Sequence, residues 1–419
     1  MSRLGRFGQE APIPASLRRR GRLLTAFSAG LVLVAGIAIA TFVAPGSHAA
    51  PMQTADRSAA KTTKTTKSAA KKTDPQPTGP LQVVSVSPAN GSRYANGGQP
   101  IKVVFSAQVA ANSPMPTLSP HISGSWQVAG NAAVFTPNTG YQPHTKVTIS
   151  IPGGASGIAQ SGATPSSITP GFGYLASSAK ETFTTGSFST LRLQQLLAQL
   201  GYLPLTWTPA QVGGNISASN ASGQLAAAYS APQGAFSWQS GYPSILRTFW
   251  KGGSGNLIET GAIRAFENDH GLTMDGTAGS QVWRDVLSAV AKGQHNKNGY
   301  TYAVASKSSP ETLTIWHNGR VVLKTLANTG IPVAPTADGT FPVYLRYYYQ
   351  VMKGTNPDGS KYADPVYYVA YFDGGDAVHY FPRYSFGYPQ SLGCVELPWD
   401  AAKKAWPFLT YGSLVTVEG

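Results

Sequence analysis

The stretch Ser391-Leu392-Gly393-Cys394-Val395-Glu396-Leu397 carries the only cysteine of the 419-residue chain. It follows His379 closely, since Cys394 lies fifteen positions further along. A lone cysteine cannot form an intramolecular disulfide, so in an exported chain it is either a buried apolar side chain or a working thiol. The interpretation of the C-terminal region therefore depends on whether the chain is exported.

The N-terminal sequence predicts export. Four arginines between residues 18 and 22 directly precede residues 23–43, a run of 21 residues without a charge. A helix of that length spans a bilayer, and the positive charges before it predict that segment 1–22 is cytoplasmic. Signal-peptide cores are shorter, which favours a retained anchor, although the small residues at 47–49 also suit a peptidase. We expect a single-pass membrane protein whose bulk is extracytoplasmic, or a secreted protein if the signal is cleaved.

Positive charge is concentrated before residue 81. Residues 1–80 hold 12 Lys and Arg against 3 Asp and Glu, a net +9 of the chain's +14, which leaves +5 for the rest. Residues 44–80 scatter lysines among Thr, Ser, Ala and Pro, which predicts a flexible basic linker. The remaining chain lacks the clustered basic motifs of nucleic-acid-binding folds, so we expect no nucleic-acid partner.

Residues 81–187 alternate short apolar runs with turn residues, as in the segments beginning at Val83, Ile101 and Lys146. Short strands at this spacing predict a β-sandwich. The pattern resembles bacterial immunoglobulin-like modules. With 46 Gly and 31 Pro in the chain, a multidomain and mainly β architecture is expected.

Residues 188–293 show helical periodicity. Leu193, Leu196, Leu197 and Leu200 recur at i, i+3, i+4 and i+7, and Thr190 is a candidate N-cap. The predicted helices are interrupted by an insertion at 205–256, rich in Gly, Ser, Trp and Tyr. A small three-helix domain carrying this insertion is therefore expected.

The sequence of this region is also similar to that of a known module. Segments 193–202, 261–267, 274–276 and 282–283 resemble the three-helix peptidoglycan-binding module of bacterial wall enzymes. The resemblance implies contact with peptidoglycan glycan. A helical spacer that binds nothing is the alternative.

Residues 300–419 return to strand-like sequence, with aromatic and β-branched runs such as Leu313–Trp316 and Tyr367–Tyr371. Asn318-Gly319 predicts a tight hairpin turn. Met352–Pro365, rich in Gly, Lys and Asp, is predicted to be a loop that could close over a substrate. A β-rich domain carrying His379 and Cys394 follows from this pattern.

The chemistry of a cysteine nucleophile requires particular neighbours. A free thiol is mostly protonated at neutral pH, so an imidazole such as that of His379 is needed to accept its proton. A tight Gly turn beside the sulfur can direct backbone N–H groups at a developing oxyanion. The chain contains neither an H-E-x-x-H nor a G-x-S-x-G motif, and its seven His residues lack ligand spacing, so no metal site or cofactor is expected.

The motif of this region resembles that of a known enzyme family. His379, Ser391-x-Gly393-Cys394 and the upstream segment 335–341 resemble the L,D-transpeptidase catalytic domain over about residues 300–419. The resemblance implies a β-rich fold that acts on peptidoglycan stem peptides in the cell wall. L,D-carboxypeptidase activity, or wall binding without catalysis, are the alternatives.

The resemblance also implies a role for each matching residue. Cys394 would attack the stem-peptide carbonyl to form a thioester, and His379 would act as general base and later as acid. The backbone carbonyl of Tyr380 would orient the imidazole, and Ser391 would brace the turn. The N–H groups of Gly393 and Cys394 would form the oxyanion hole.

Five positions depart from the family's pattern or remain open. Tyr380 stands where Gly or Ser is usual. Leu392 stands where His is common, and Glu396 where Arg or Asn is common. Glu396 either contacts the cationic amino group of a diamino acid or pairs with Arg383. Arg346 and Arg383 are candidate clamps for a substrate carboxylate.

Overall fold

The computed structural model describes residues 79–163, 173–210 and 221–419. The predicted cytoplasmic segment 1–22, the apolar run 23–43 and all but the last two residues of the linker 44–80 lie outside the described residues. Within the described part of the chain, no helix combines the length and apolar character needed to cross a bilayer.

The first folded region is a sandwich of two antiparallel sheets. Its strands form a four-stranded sheet of order β1-β2-β5-β4 and a three-stranded sheet of order β3-β6-β7. Apolar side chains such as Val103, Phe105 and Ile149 fill the space between the sheets. The strands are β1 (Val83–Ser87), β2 (Ile101–Phe105), β3 (Thr117–Ser119), β4 (Gly124–Ala129), β5 (Ala132–Pro137), β6 (Lys146–Ile151) and β7 (Ala179–Thr184).

The second region combines helices with a two-stranded sheet. It contains α1 (Thr190–Gln199), β8 (Leu205–Pro209), α2 (Ala221–Tyr229), β9 (Gly234–Trp238), a 3-10 helix (Ser244–Phe249), α3 (Leu257–His270) and α4 (Ser280–Ala291). The periodic leucines of α1 are buried against α3 and α4, as an amphipathic helix requires. The side chain of Ser189, not the predicted Thr190, caps α1 by accepting the Arg192 N–H. The predicted insertion forms the antiparallel pair β8–β9, α2 and the 3-10 helix.

The third region holds two sheets. The five-stranded sheet has the order β12-β11-β10-β18-β13 and the four-stranded sheet the order β14-β15-β16-β17. An apolar core lies between them and under α5, and the expectation of a mainly β chain is confirmed. The elements are β10 (Thr301–Ser306), β11 (Thr312–His317), β12 (Arg320–Leu326), β13 (Gly339–Pro342), β14 (Leu345–Thr355), β15 (Lys361–Asp373), β16 (Asp376–Tyr380), β17 (Val395–Leu397), α5 (Trp399–Ala405) and β18 (Leu414–Glu418).

The prediction of a loop at Met352–Pro365 is wrong. Strands β14 and β15 pair through this segment, from Met352 opposite Asp364 to Thr355 opposite Lys361, and only residues 356–360 form the turn. Partly buried and exposed residues alternate along both strands, which is the period of two expected of a half-buried ribbon. Polar residues on the outer face gave the segment its loop-like composition. The element is a β-hairpin, called the long hairpin below (residues 345–373).

Candidate active site

Parallel pairing of β16 with β17 places the predicted histidine and cysteine on one face of the sheet. His379 lies opposite Glu396 in the register. Side chains of paired residues share a face, and residues two apart on a strand do too. Cys394, two residues before Glu396, therefore lies on the His379 face.

Packing agrees with this assignment of faces. Ala377 and Val366 form a small apolar cluster against which Phe381 and Cys394 pack. Val378, Val395 and Leu397 point to the opposite face of the two strands and belong instead to the core under α5. The thiol and the imidazole thus lie on the side of the sheet that faces away from that core.

The turn before Cys394 is held by one hydroxyl group. Ser391, 1% exposed, donates from its Oγ to the Cys394 carbonyl at 2.5 Å and accepts the Gly393 N–H at 3.2 Å. Ser391 therefore braces the turn. Because the Gly393 N–H already has a partner in Ser391, the Cys394 N–H is the better candidate for an oxyanion donor than the predicted pair.

Glycine is required at position 393 for two reasons. Its φ of 121° is a conformation that residues with a side chain rarely adopt. A Cβ there would also collide with the Asp376 carboxylate. The tight turn that presents the thiol depends on this residue.

The Cys394 thiol is protonated at neutral pH. It donates to the Gly375 carbonyl at 3.8 Å, and burial raises its pKa to about 12. A hydrogen bond from the Ala377 N–H lowers the pKa of Cys394, while the charges of Asp376 and Glu396 raise it further. Part of the Cys394 surface still reaches solvent, so an electrophile has access to it.

The imidazole of His379 is oriented and neutral. The side chain is 3% exposed, and Nδ1–H donates to the Tyr380 carbonyl at 2.9 Å, which leaves the Nε2 lone pair free to accept a proton. Burial lowers the pKa of His379, partly opposed by the Tyr380 hydrogen bond and the charge of Glu396. With both groups neutral, the arrangement suits a thiol whose proton passes to the imidazole as the sulfur attacks an electrophile.

Glu396 pairs with Arg383, one of the two alternatives predicted for it. Both oxygens of the carboxylate accept from Arg383, at 2.7 Å each, and Glu396 is 4% exposed. Arg383 also donates to the Gln390 carbonyl at 3.0 Å. These contacts give Arg383 a structural partner and leave it less free to clamp a substrate carboxylate.

Arg346 packs against Trp406, at the end of α5. Its guanidinium carbon is 3.7 Å from the centroid of the Trp406 ring, and its Nη2 donates to the Trp406 carbonyl at 2.5 Å. Burial lowers its pKa to about 10. The packing supports a structural role beside α5 rather than the predicted substrate contact.

The inner face of the long hairpin covers the site. Met352 packs in the same small cluster as Cys394, and Asp364 is its partner in the register. Burial raises the pKa of Tyr362, and Cys394 and Asp364 raise it further. The charge of Asp364 also opposes the lowering of the His379 pKa by burial. The hairpin therefore presents Met352, Tyr362 and Asp364 on the side of the thiol and the imidazole.

Sequence reasoning missed two carboxylates of this site. Asp376 lies against Gly393, accepts the Ala337 N–H, and burial raises its pKa to about 7. Asp364 faces His379 from the long hairpin. Only the register of the strands brings them there, so no sequence motif could have found them.

A separate cleft of about 420 Å³ lies between the first and second regions. Phe188, Trp283, Glu259 and Thr190 are among its lining residues, and none of its lining belongs to residues 300–419. In the described segments, no group of three His, Cys, Asp or Glu side chains is placed to hold a metal ion.

Comparison with known proteins identifies two domains. The family model of the L,D-transpeptidase catalytic domain matches residues 300–417, and that of a bacterial Ig-like domain matches residues 77–185. No curated protein matches the chain.

Similar solved structures include three L,D-transpeptidases. L,D-transpeptidase 3 from Mycobacterium tuberculosis is 14% identical, over 80% of this chain and 98% of that chain, with a TM-score of 0.27. An L,D-transpeptidase from Mycobacterium smegmatis is 15% identical, over 81% of this chain and 100% of that chain, with a TM-score of 0.27. The catalytic domain from an E. faecium L,D-transpeptidase is 28% identical, over 28% of this chain and 95% of that chain, with a TM-score of 0.26. The two family models therefore show that residues 300–417 are an L,D-transpeptidase catalytic domain and that residues 77–185 are a bacterial Ig-like domain.

Proposed function

We propose that the protein is a peptidoglycan L,D-transpeptidase that forms 3-3 cross-links through a thioester on Cys394. The observation that carries the proposal is the placement of Cys394 and His379 on one face of adjacent strands, with the imidazole oriented by the Tyr380 carbonyl. A thiol, a neutral base and a turn N–H are the groups that acyl transfer needs.

The acylation step follows from these groups. Nε2 of His379 takes the thiol proton as Sγ of Cys394 attacks the carbonyl between the third and fourth stem residues. The Cys394 N–H stabilises the oxyanion, and loss of such a donor typically costs about 3 to 4 kcal/mol. The C–N bond then breaks, His379 returns the proton to the leaving D-amino acid, and a thioester remains.

Transfer to a second stem completes the reaction. An acceptor amine attacks the thioester carbon, His379 takes a proton from the amine nitrogen, and the C–S bond breaks. The thiolate regains the proton from His379. Water in place of the amine gives the carboxypeptidase product instead.

The site of action proposed is the cell wall. The apolar run 23–43 supports a single membrane anchor with the catalytic domain outside, or secretion if the signal is cleaved. The cleft beside α1, α3 and α4 supports a glycan contact, because the half-buried ring of Phe188 and the hydroxyl groups of Thr190 and Ser280 combine an apolar surface with hydrogen-bonding groups.

One experiment separates the candidate functions. Purified full-length protein is mixed with muropeptides carrying tetrapeptide stems, and the products are analysed by mass spectrometry. A 3-3 cross-linked dimer supports the proposal, a trimmed tripeptide indicates a carboxypeptidase, and unchanged substrate indicates a wall-binding protein without catalysis. Cys394→Ala is the control, and full activity in that variant would exclude the thioester.

The glycan contact has its own test. Ser280 is exposed at the mouth of the cleft, so Ser280→Trp should fill it with little effect on the core. We expect this variant to sediment less with insoluble peptidoglycan while it forms cross-links in free muropeptides at the normal rate. Unchanged sedimentation would place the glycan contact elsewhere.

A further inference from the structure

The inner face of the long hairpin carries a carboxylate that the mechanism above does not use. Gln350, Met352 and Gly354 alternate with outward residues on β14, and their register partners on β15 are Val366, Asp364 and Tyr362. Paired residues share a face, so Asp364 projects with Met352 toward Cys394. Its position follows from the register and from packing.

The electrostatic couplings of Asp364 point the same way. Its charge acts on His379, on Arg383 and on Tyr362, which lie on three different elements around the site. Tyr362 is itself coupled to Cys394. Together with the register, these couplings place Asp364 near both His379 and Arg383.

Asp364 has no ion-pair partner in the part of the chain that the structure describes. The ion pairs within 4.0 Å among the described residues are Lys307–Asp338 and Arg383–Glu396. Arg383 is a cation on which the charge of Asp364 acts, but its Nε and Nη2 atoms already donate to Glu396 and to the Gln390 carbonyl. The Asp364 carboxylate is therefore available to a cation that comes from outside the chain.

The charge at the site is therefore negative. Glu396 neutralises Arg383, His379 is uncharged, and the Cys394 thiol is protonated, so Asp364 is the uncompensated charge on the hairpin side. Asp376, whose pKa burial raises to about 7, adds part of a negative charge beside Gly393. A cationic group entering this space would gain Coulomb energy at a low effective dielectric constant. Both stems of a 3-3 cross-link carry such a group on the third residue, since an alkyl amine is protonated in water, but only the amine of the acceptor must reach the thioester carbon.

We propose that Asp364 is the acceptor-specificity residue, which binds the cationic amino group of the incoming stem peptide above the thioester. The inference rests on the proposed function. The bound ammonium loses one proton to water, and its nitrogen attacks the thioester carbon. As the C–N bond forms and the C–S bond breaks, the second proton passes through His379 Nε2 to the Cys394 sulfur.

The test separates the two half-reactions in full-length protein. Acylation is followed by release of the D-amino acid from a tetrapeptide stem. Acceptor use is followed with two probes, a tripeptide stem with a free diamino-acid side chain, which is cationic, and hydroxylamine, which is uncharged at neutral pH. Hydroxylamine attacks the same thioester without needing a carboxylate.

We expect Asp364→Asn to lower kcat/KM for the cationic acceptor about 10-fold or more, the effect of losing a hydrogen bond to a charged group. Acylation and the hydroxylamine reaction should stay within about 2-fold of wild type. Asp364→Glu should recover part of the loss. Asp358→Asn makes the same charge change at the exposed tip of the same hairpin and should alter none of the three rates.

Each other outcome overturns the inference. Equal losses in acylation and in both acceptor reactions would mean that Asp364 acts through His379 or through the fold of the hairpin. An unchanged kcat/KM for the cationic acceptor would assign amine binding to another group. Absence of D-amino acid release in the wild type would instead refute the proposed function, so the two failures are distinguishable.

Discussion

Arg383 and Glu396 form a bidentate ion pair, with Nε–Oε2 and Nη2–Oε1 distances of 2.7 Å. Glu396 also exchanges two backbone hydrogen bonds with Asn328, at 2.9 and 3.0 Å. The pair thus ties residues 383–390 to β17, at a residue two positions after Cys394. The departure from the family's motif at position 396 is matched by a partner within this chain.

We expect Arg383→Ala to destabilise the fold by roughly 3 kcal/mol, because it leaves the buried Glu396 carboxylate without its cation. Urea denaturation at pH 7 measures this. The matched control is Lys307→Ala, which removes a cation from the Lys307–Asp338 pair, whose side chains are 22% and 63% exposed. Exposed pairs contribute about 0 to 1 kcal/mol. Equal losses in the two variants would contradict a structural role for the buried pair.

Gly393→Ala should abolish thioester formation, because the φ of 121° and the collision with Asp376 force the turn to move. The measurement is the mass of the acyl adduct after incubation with a tetrapeptide stem. Gly375→Ala is the control, since a Cβ there meets open space and lies beside the same thiol. A full adduct yield in Gly393→Ala would show that the turn tolerates rearrangement.

Much of this site could be predicted because its residues are close in sequence or belong to one motif. The apolar alternation around β16 and the spacing of Ser391, Gly393 and Cys394 are local properties that the chain carries along its length. The hydrogen bond between His379 and its neighbour Tyr380 is local in the same sense.

The parts that could not be predicted depend on contacts between distant residues. The segment Met352–Pro365 has the composition of a loop, yet pairing along both strands makes it a hairpin. Asp364 reaches His379 only through that pairing, and Asp376 meets Gly393 only through the β16–β17 register. The Ser391 hydroxyl can donate or accept, so its use of the Gly393 N–H could not be read from residue types.

The reactivity of the thiol should depend on pH as that of a neutral thiol does. Because the pKa of Cys394 is raised to about 12, its rate of alkylation by iodoacetamide should rise about tenfold per pH unit through about pH 9 without a plateau. Free cysteine, with a pKa of about 8.5, should level off in the same experiment. A rate that is constant from about pH 6 upward would instead indicate a thiolate–imidazolium pair.

The stability of the fold should depend on pH through Asp376. Burial raises its folded-state pKa to about 7, above that of the unfolded chain. The folded protein therefore retains this proton longer, and the associated stability is present below about pH 4 and is lost as pH rises through about 7. Above that pH the fold holds an ionised, half-buried carboxylate.

Asp376→Asn imitates the protonated group, so its free energy of unfolding relative to wild type should increase between pH 4.5 and pH 8. Urea denaturation at both pH values measures the difference. The variant should also react faster with iodoacetamide at pH 8, because the charge of Asp376 raises the pKa of Cys394. Asp358→Asn is the control, and its relative stability should change little between these pH values, since hydrogen bonds from Ser360 lower the pKa of Asp358 and keep it ionised across this range. A relative stability of Asp376→Asn that does not change with pH would show that this carboxyl titrates alike in the folded and unfolded chain.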